Sequence, residues 1–253
     1  MISFTEAQIL GWITPLIWPF LRVLALFVAL PVLGTRQVPL RVRLGLSALI
    51  AFAAQPSLPA VAPVALDTPL AFMLVVQQML VGVAIGFAVR VAFGALEFAG
   101  EVIGLQMGLN FAGFFDPITA GTATATSRFF GTTIAWLFIV INGHLMVIAA
   151  LIQSFQAFPV GPDPFGFVLK VQPWRWGGEL FATGLWIALP LVAMLLFVNL
   201  VLGAISRVAS QINIFAVGFP VTLGVGLLGI LLTLPAMQGP FTMALERLLS
   251  AFQ

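Results

Sequence analysis

Polar residues are the exception along this chain, and they mark off the apolar runs between them. The first run covers about 7–33 and is interrupted only by Arg22. A short basic connection follows at 34–43, with Arg36, Arg41, Arg43 and Pro39. Residues 44–66 carry no charge, but Pro56, Pro59 and Pro63 confine the predicted helix to about 44–55, because proline interrupts a helix interior. Asp67-Thr68-Pro69 predicts a new start, a capping side chain followed by proline in the first turn. Residues 70–89 are uncharged, and a less hydrophobic helix carrying Arg90, Glu97 and Glu101 is predicted at 90–109. A polar stretch at 116–128 includes TAGTATATS. Residues 129–158 read as one long helix holding the only histidine, His144. A proline- and tryptophan-bearing loop is predicted at 159–179, an uncharged helix at 180–206 and a polar break at 207–213. Another apolar run covers 214–237, and an amphipathic tail with Glu246 and Arg247 covers 238–253.

A spanning helix needs about 20 mostly apolar residues. Segments 10–33, 44–58, 69–90, 129–157, 180–206 and 213–236 qualify or nearly do, although the second is short for a bilayer. The segment at 90–109 is too charged to face lipid. The pattern predicts an all-α polytopic membrane protein of helical hairpins, some of them buried against other protein. The arginines of 34–43 place that connection in the cytoplasm, by the excess of positive charge on cytoplasmic loops. The N-terminus is then periplasmic, and six crossings would put Arg207, Gln211 and Asn213 in a cytoplasmic loop and the C-terminus in the periplasm.

Composition supports the same solvent. Of 253 residues, 61% are apolar and only 7% are charged, against roughly 25% charged in a soluble domain. So few charges cannot cover a soluble surface, which excludes a soluble enzyme, a nucleic-acid binder and a disordered tail. The net charge of +2 is no evidence for nucleic acid. Cysteine is absent, so disulfides, thiolate nucleophiles and cysteine-ligated metals are excluded. The first residues lack a basic signal-peptide n-region, so the first apolar segment is expected to stay in the mature protein.

Three features call for partners. Arg22 lies in an apolar run and needs a carboxylate, a carbonyl or a wet cavity; it either snorkels to an interface or pairs within an assembly. Gly100, Gly104 and Gly108 make two consecutive GxxxG steps, and Gly82 and Gly86 a third, spacings that let helix backbones approach closely. Arg90, Glu97 and Glu101 share one helix face, which is either solvated at a membrane surface or lines a wet lumen or a partner. With glycine faces and Arg22 wanting partners, the chain alone is expected to be poorly stable.

Catalytic constellations are nearly absent. His144 stands alone, Asp67, Asp116 and Asp163 lie in or beside loops, and no metal-ligand spacing occurs. No cofactor is expected. Met107, Phe111, Phe114 and Phe115 instead put bulky apolar groups beside a Thr/Ala/Gly segment, where they either anchor at a membrane interface or close a pore by dewetting.

Several stretches together resemble a known family. They are GLQMGLNFAGFFDP at 104–117, NGHL at 142–145, FQAFPVG at 155–161 and SRVASQINIFAVGFPVTLGVG at 206–226, with WPFLRV at 18–23, Pro31 and VPLRVRLG at 38–45. The chain resembles, over essentially its whole length, the FliR family of the flagellar type III export gate. Ser210 departs from the family's usual proline, and the tail is short. The resemblance implies a non-enzymatic subunit that joins FliP-like and FliQ-like subunits in a helical, cone-shaped gate. That gate works with FlhA-like and FlhB-like components at the inner membrane and the flagellar basal body, and unfolded flagellar proteins cross it. It also implies a FliP-like portion at 1–178, including a plug loop at 104–128, and a FliQ-like hairpin and tail at 179–253. Met107, Phe111, Phe114 and Phe115 fall at the family's plug position. An injectisome export subunit, or a small-molecule permease with paired ionisable groups near the midplane, are the alternatives.

Overall fold

The computed structural model of the chain describes residues 6–35, 37–59, 64–65, 67–109, 125–209 and 214–253. Among these residues there is no strand. The α-helices are α1 (Glu6–Ala29), α2 (Leu40–Ala54), α3 (Pro69–Gln106), α4 (Ala125–Val140), α5 (Gly143–Ala157), α6 (Gly166–Val171), α7 (Trp176–Val208), α8 (Ile214–Thr233) and α9 (Gln238–Ser250). Among the described residues four stretches are long and apolar enough to cross a membrane, and α4 with α5 make a fifth if that bent pair is one span. The six crossings expected from the sequence are therefore reduced. Helix α2 has 15 residues, about 22 Å at 1.5 Å per residue, well short of a hydrocarbon layer of about 30 Å.

Local chemistry sets the boundaries. Thr68 caps α3 as its sequence predicts: its hydroxyl accepts the Ala71 N–H at 3.3 Å, with Pro69 in the first turn. The break expected near residue 90 does not occur. Helix α3 is continuous for 38 residues, because Arg90, Glu97 and Glu101 all lie on its exposed side and charge on one face does not interrupt a backbone ladder. It ends instead at Gly108, where φ is 79°, the left-handed conformation that stops many helices and favours glycine. Gly108 is thus a terminator and not the third glycine of a packing seam. Gly108→Ala is expected to destabilise the protein by about 1–2 kcal/mol and Gly108→Asn by less, read as the shift in thermal midpoint in detergent.

The long helix expected over 129–158 is two helices. Asn142 adopts φ 57°, and its carbonyl accepts the N–H groups of Leu145 (2.9 Å) and Met146 (3.3 Å) as α5 begins. At the other break, α7 runs through Val208, so Arg207 is an exposed residue of its last turn rather than part of a loop. Gln211 and Asn213 lie outside the described residues.

The chain forms two compact units. The first comprises Met1–Val91, Asn142–Trp176 and Leu245–Gln253, the second Ala92–Ile141 and Gly177–Ala244. In the first, α2 turns the small residues Ser47, Ala51 and Ala54 inward. Trp18 of α1 packs on Ala71 and Leu74 of α3. In the second, Phe93 is the hub. Its ring meets Phe138 of α4 at 5.5 Å and Phe241 of α9 at 5.6 Å, both edge-on. Several hydroxyls in these apolar helices close back on their own turns: Thr132 donates to the Arg128 carbonyl and Thr222 to the Gly218 carbonyl. Such back-bonding keeps polar side chains satisfied where no water reaches them.

Candidate functional site

The first unit is built around a buried arginine. Arg22 is 0% exposed, and it neither snorkels nor waits for another subunit. Its Nε donates to Gln78 Oε1 (2.8 Å), Nη1 to Ser154 Oγ (2.9 Å) and Nη2 to the Phe158 carbonyl (2.9 Å). The guanidinium carbon stands 3.7 Å from the centre of the Phe155 ring, a cation–π contact worth about 2 kcal/mol once desolvated. Three neutral acceptors and a ring thus hold one fixed charge.

The acceptors are themselves fixed. Ser154 Oγ donates to the Leu151 carbonyl at 2.6 Å. Gln78 Nε2 donates to Gln77 Oε1 at 2.9 Å. Gln77 Oε1 also accepts the Gly161 N–H (3.1 Å), while its Nε2 donates to the carbonyls of Pro159 and Asp163, each at 3.2 Å. Arg22 and the two glutamines therefore clamp the 158–163 connection onto α1 and α3. The sequence states Arg22's need but not its partners. The adjacent amides Gln77-Gln78, in the middle of an uncharged run, were the signal available.

Glycine seams complete the packing. Gly82 and Gly86 of α3 face Ala25 and Ala29 of α1, small residues at matching four-residue spacing. A Cβ on Gly82 would strike the Arg22 carbonyl and come within 2.9 Å of the Ala25 Cβ. A Cβ on Gly86 would strike the Ala29 Cβ and come within 3.1 Å of the Leu26 carbonyl. In the second unit Gly100 lies under the Phe130 ring, and Gly104 against the Thr126 hydroxyl. These four glycines pack within the chain, which corrects the expectation that they and Arg22 await partners.

Arg90, Glu97 and Glu101 are exposed. Arg90 Nε donates to the Ala29 carbonyl at 2.6 Å, satisfying an acceptor at the end of α1. The Glu97 carboxylate lies over Gly131 of α4, 3.1 Å from where a Cβ would stand. Met107 is buried, its side chain filling the space beside Gly226 of α8. Phe111, Phe114 and Phe115 lie outside the described residues.

A cleft of about 290 Å³ opens in the first unit between Pro15 and Pro19 of α1 and Pro59, Phe155 and Val160. None of its lining residues is titratable. Among the described residues no group of three or more histidine, aspartate or glutamate side chains could hold a metal ion. Among the described residues α7 carries a long apolar surface, where large side chains between Phe181 and Val208 are exposed, Trp186 at 72% and Val208 at 91%.

Fold and site together define a multi-pass, all-α membrane protein whose buried polar groups fasten helices and a loop to one another. Residues 13–248 match the family described as bacterial export proteins, family 1, and the chain belongs to it, in its flagellar FliR branch. It is 42% identical over 245 residues, 95% of this chain and 92% of the relative, to the flagellar biosynthetic protein FliR of Escherichia coli (strain K12). It is 40% identical over 246 residues, again 95% and 92%, to FliR of Pectobacterium carotovorum subsp. carotovorum. With FliR of Aquifex aeolicus (strain VF5) it shares 31% identity over 223 residues, 87% of this chain and 85% of the relative.

Proposed function

We propose that this chain is a non-enzymatic subunit of the flagellar type III protein export gate. With FliP-like and FliQ-like subunits it forms the channel through which unfolded flagellar proteins cross the bacterial inner membrane, at the flagellar basal body. FlhA-like and FlhB-like components are its further partners, and membrane lipids cover part of its surface. Residues 1–178 form its FliP-like portion and 179–253 its FliQ-like portion. The connection at 34–43 faces the cytoplasm.

Beside the family match, one observation carries this proposal: the exposed apolar face of α7 is longer than a bilayer is thick. From Phe181 to Val208 it runs about 40 Å at 1.5 Å per residue, beyond a hydrocarbon layer of about 30 Å. To be covered by lipid alone the helix would have to tilt by roughly 40°, the extreme of the observed range. Apolar partner helices cover the excess without that tilt. Arg22, Gln77, Gln78 and Ser154 are bonded to one another and to the 158–163 connection, which supports a structural role for that cluster.

Phe111, Phe114 and Phe115 seal the resting channel in this proposal, since water and ions avoid an apolar neck; Met107, expected among them, is buried beside Gly226 instead. Replacing Phe111, Phe114 and Phe115 with alanine together is expected to raise small-ion leakage while the complex persists. If the rings only pack, the same change lowers assembly instead, by about 3–5 kcal/mol for each fully buried ring. Assembled complex and membrane leak are measured in the same cells. Normal complex with no added leak rules out the seal, and reduced complex with no leak assigns the rings to packing.

A further inference from the structure

The first unit is closed by residues from far along the sequence. Leu245, Leu248, Leu249 and Phe252 are all buried, Phe252 at 0% exposure, and they belong to the same compact unit as Arg22. The Phe252 ring stands between two others. It meets Trp176 at 6.0 Å and Phe158 at 6.4 Å. Trp176 in turn meets Phe87 of α3 at 5.8 Å, and Phe158 meets Phe167 of α6 at 6.1 Å edge-on. Five rings thus form a continuous row, and Phe252 is its central member.

Phe158 belongs to both this row and the arginine clamp. Its ring touches Phe252, and its carbonyl accepts from Arg22. Its N–H donates to the Ser154 carbonyl at 2.9 Å as α5 ends, and the Lys170 ammonium stands 5.7 Å from the centre of its ring. The amide clamp of Gln77 reaches Pro159, Gly161 and Asp163 but not Phe158. The Phe158 carbonyl is therefore placed by the end of α5, by Arg22 and by the seat of its ring, of which Phe252 is one wall.

We propose that 245–252 is a strap, and that Phe252 is a positioning residue which holds the 158–163 connection against Arg22. Withdrawing the strap removes one wall of the Phe158 ring's seat, which loosens its carbonyl from the guanidinium and exposes the connection. This proposal goes beyond the export reading, and its readout does not depend on export.

The chain's lack of cysteine makes the test clean. Two reporters are built singly in the full chain, in membranes of cells making its assembly. Val160→Cys reports on the connection, where Val160 is half-buried against the Trp18 cluster. Ala51→Cys reports on the α2 packing in the same unit, where Ala51 is 1% exposed. Maleimide labelling rates are compared with Phe252→Ala and Phe252→Leu, and with Met243→Ala at an exposed site as control. The expected result is labelling of Val160→Cys at least about fivefold faster with Phe252→Ala and about twofold faster with Phe252→Leu. Ala51→Cys and the control should not change. If Phe252→Ala does not accumulate, the near-isosteric leucine variant decides. An unchanged Val160→Cys rate in the leucine variant overturns the strap, and so does a parallel rise at Ala51→Cys, which would mean general loosening.

Discussion

Gln78→Leu is expected to destabilise the protein by about 2–3 kcal/mol, the range for removing a hydrogen bond from a buried charged group. Adding Arg22→Met should restore much of that loss. The physical reason is the asymmetry between breaking a buried polar arrangement and replacing it. Alone, Gln78→Leu leaves Arg22 charged, 0% exposed and short of one of its three acceptors. A charge held in apolar surroundings without its partner costs several kcal/mol. With methionine at 22 the charge is gone, Ser154 keeps its bond to the Leu151 carbonyl, and an apolar side chain of similar length fills the space. Replacing whole buried polar sets by apolar groups is often neutral. Arg22→Lys should not substitute, because one ammonium cannot reach three acceptors in the directions of a planar fork or stack on Phe155. The measurements are thermal midpoints in detergent and the steady-state level of each variant in membranes. A double variant no more stable than Gln78→Leu alone would show that Gln78 acts in some way other than by satisfying Arg22.

The second large effect is a reversal of sign between glycines. Gly→Ala in a helix normally gains about 1 kcal/mol, because alanine has the higher helix propensity. Gly45 and Gly203 have nothing within 4 Å of an added Cβ, so Gly45→Ala and Gly203→Ala should be neutral to stabilising. At Gly82 and Gly86 the same methyl meets the backbone and Cβ atoms of α1. The helices must separate there, and overpacking costs about 1–3 kcal/mol at each position, which outweighs the propensity gain. Since the Arg22 carbonyl is among the atoms struck, Gly82→Ala also shifts the segment that carries the arginine. Equal stability of all four variants would show that α1 and α3 can move apart freely.

Much of the fold was legible. Hydrophobic runs located the helices, and Thr68-Pro69 set the start of α3. The low charge content alone named lipid and apolar protein as the solvent. What failed has identifiable causes. A charged stretch at 90–101 reads as a boundary in a linear scan, but its three charges share the exposed side of one helix and leave the ladder intact. The break at Asn142 was available from the Asn-Gly pair, a recognised turn signal, and was masked by the apolar residues on both sides. The glycine series at 100–108 stopped one step short, at Gly108, because periodicity cannot tell a packing glycine from a left-handed terminator. Arg22's partners were out of reach for a different reason. They lie 56, 132 and 136 residues away, and one of them is a backbone carbonyl, which has no side-chain identity to read. Phe252 was hidden in the same way, as an aromatic in an amphipathic tail whose partners, Phe158 and Trp176, lie far back in the chain.

The discontinuity of the first unit has a consequence for biosynthesis. Its opening segment ends at Val91 and its closing segment begins at Leu245. A ribosome working at about 5–20 residues per second needs roughly 8–30 s to travel between them. Throughout that interval α1 to α3 are made and inserted, while the aromatic seat that Phe252 will fill stands vacant. The nascent chain must be sheltered for that time by the insertion machinery, by lipid or by a subunit already in place. A ribosome that stalls after α7 leaves behind a chain with most of its hydrophobic length and an unfinished core, the form that membrane quality-control proteases would meet first.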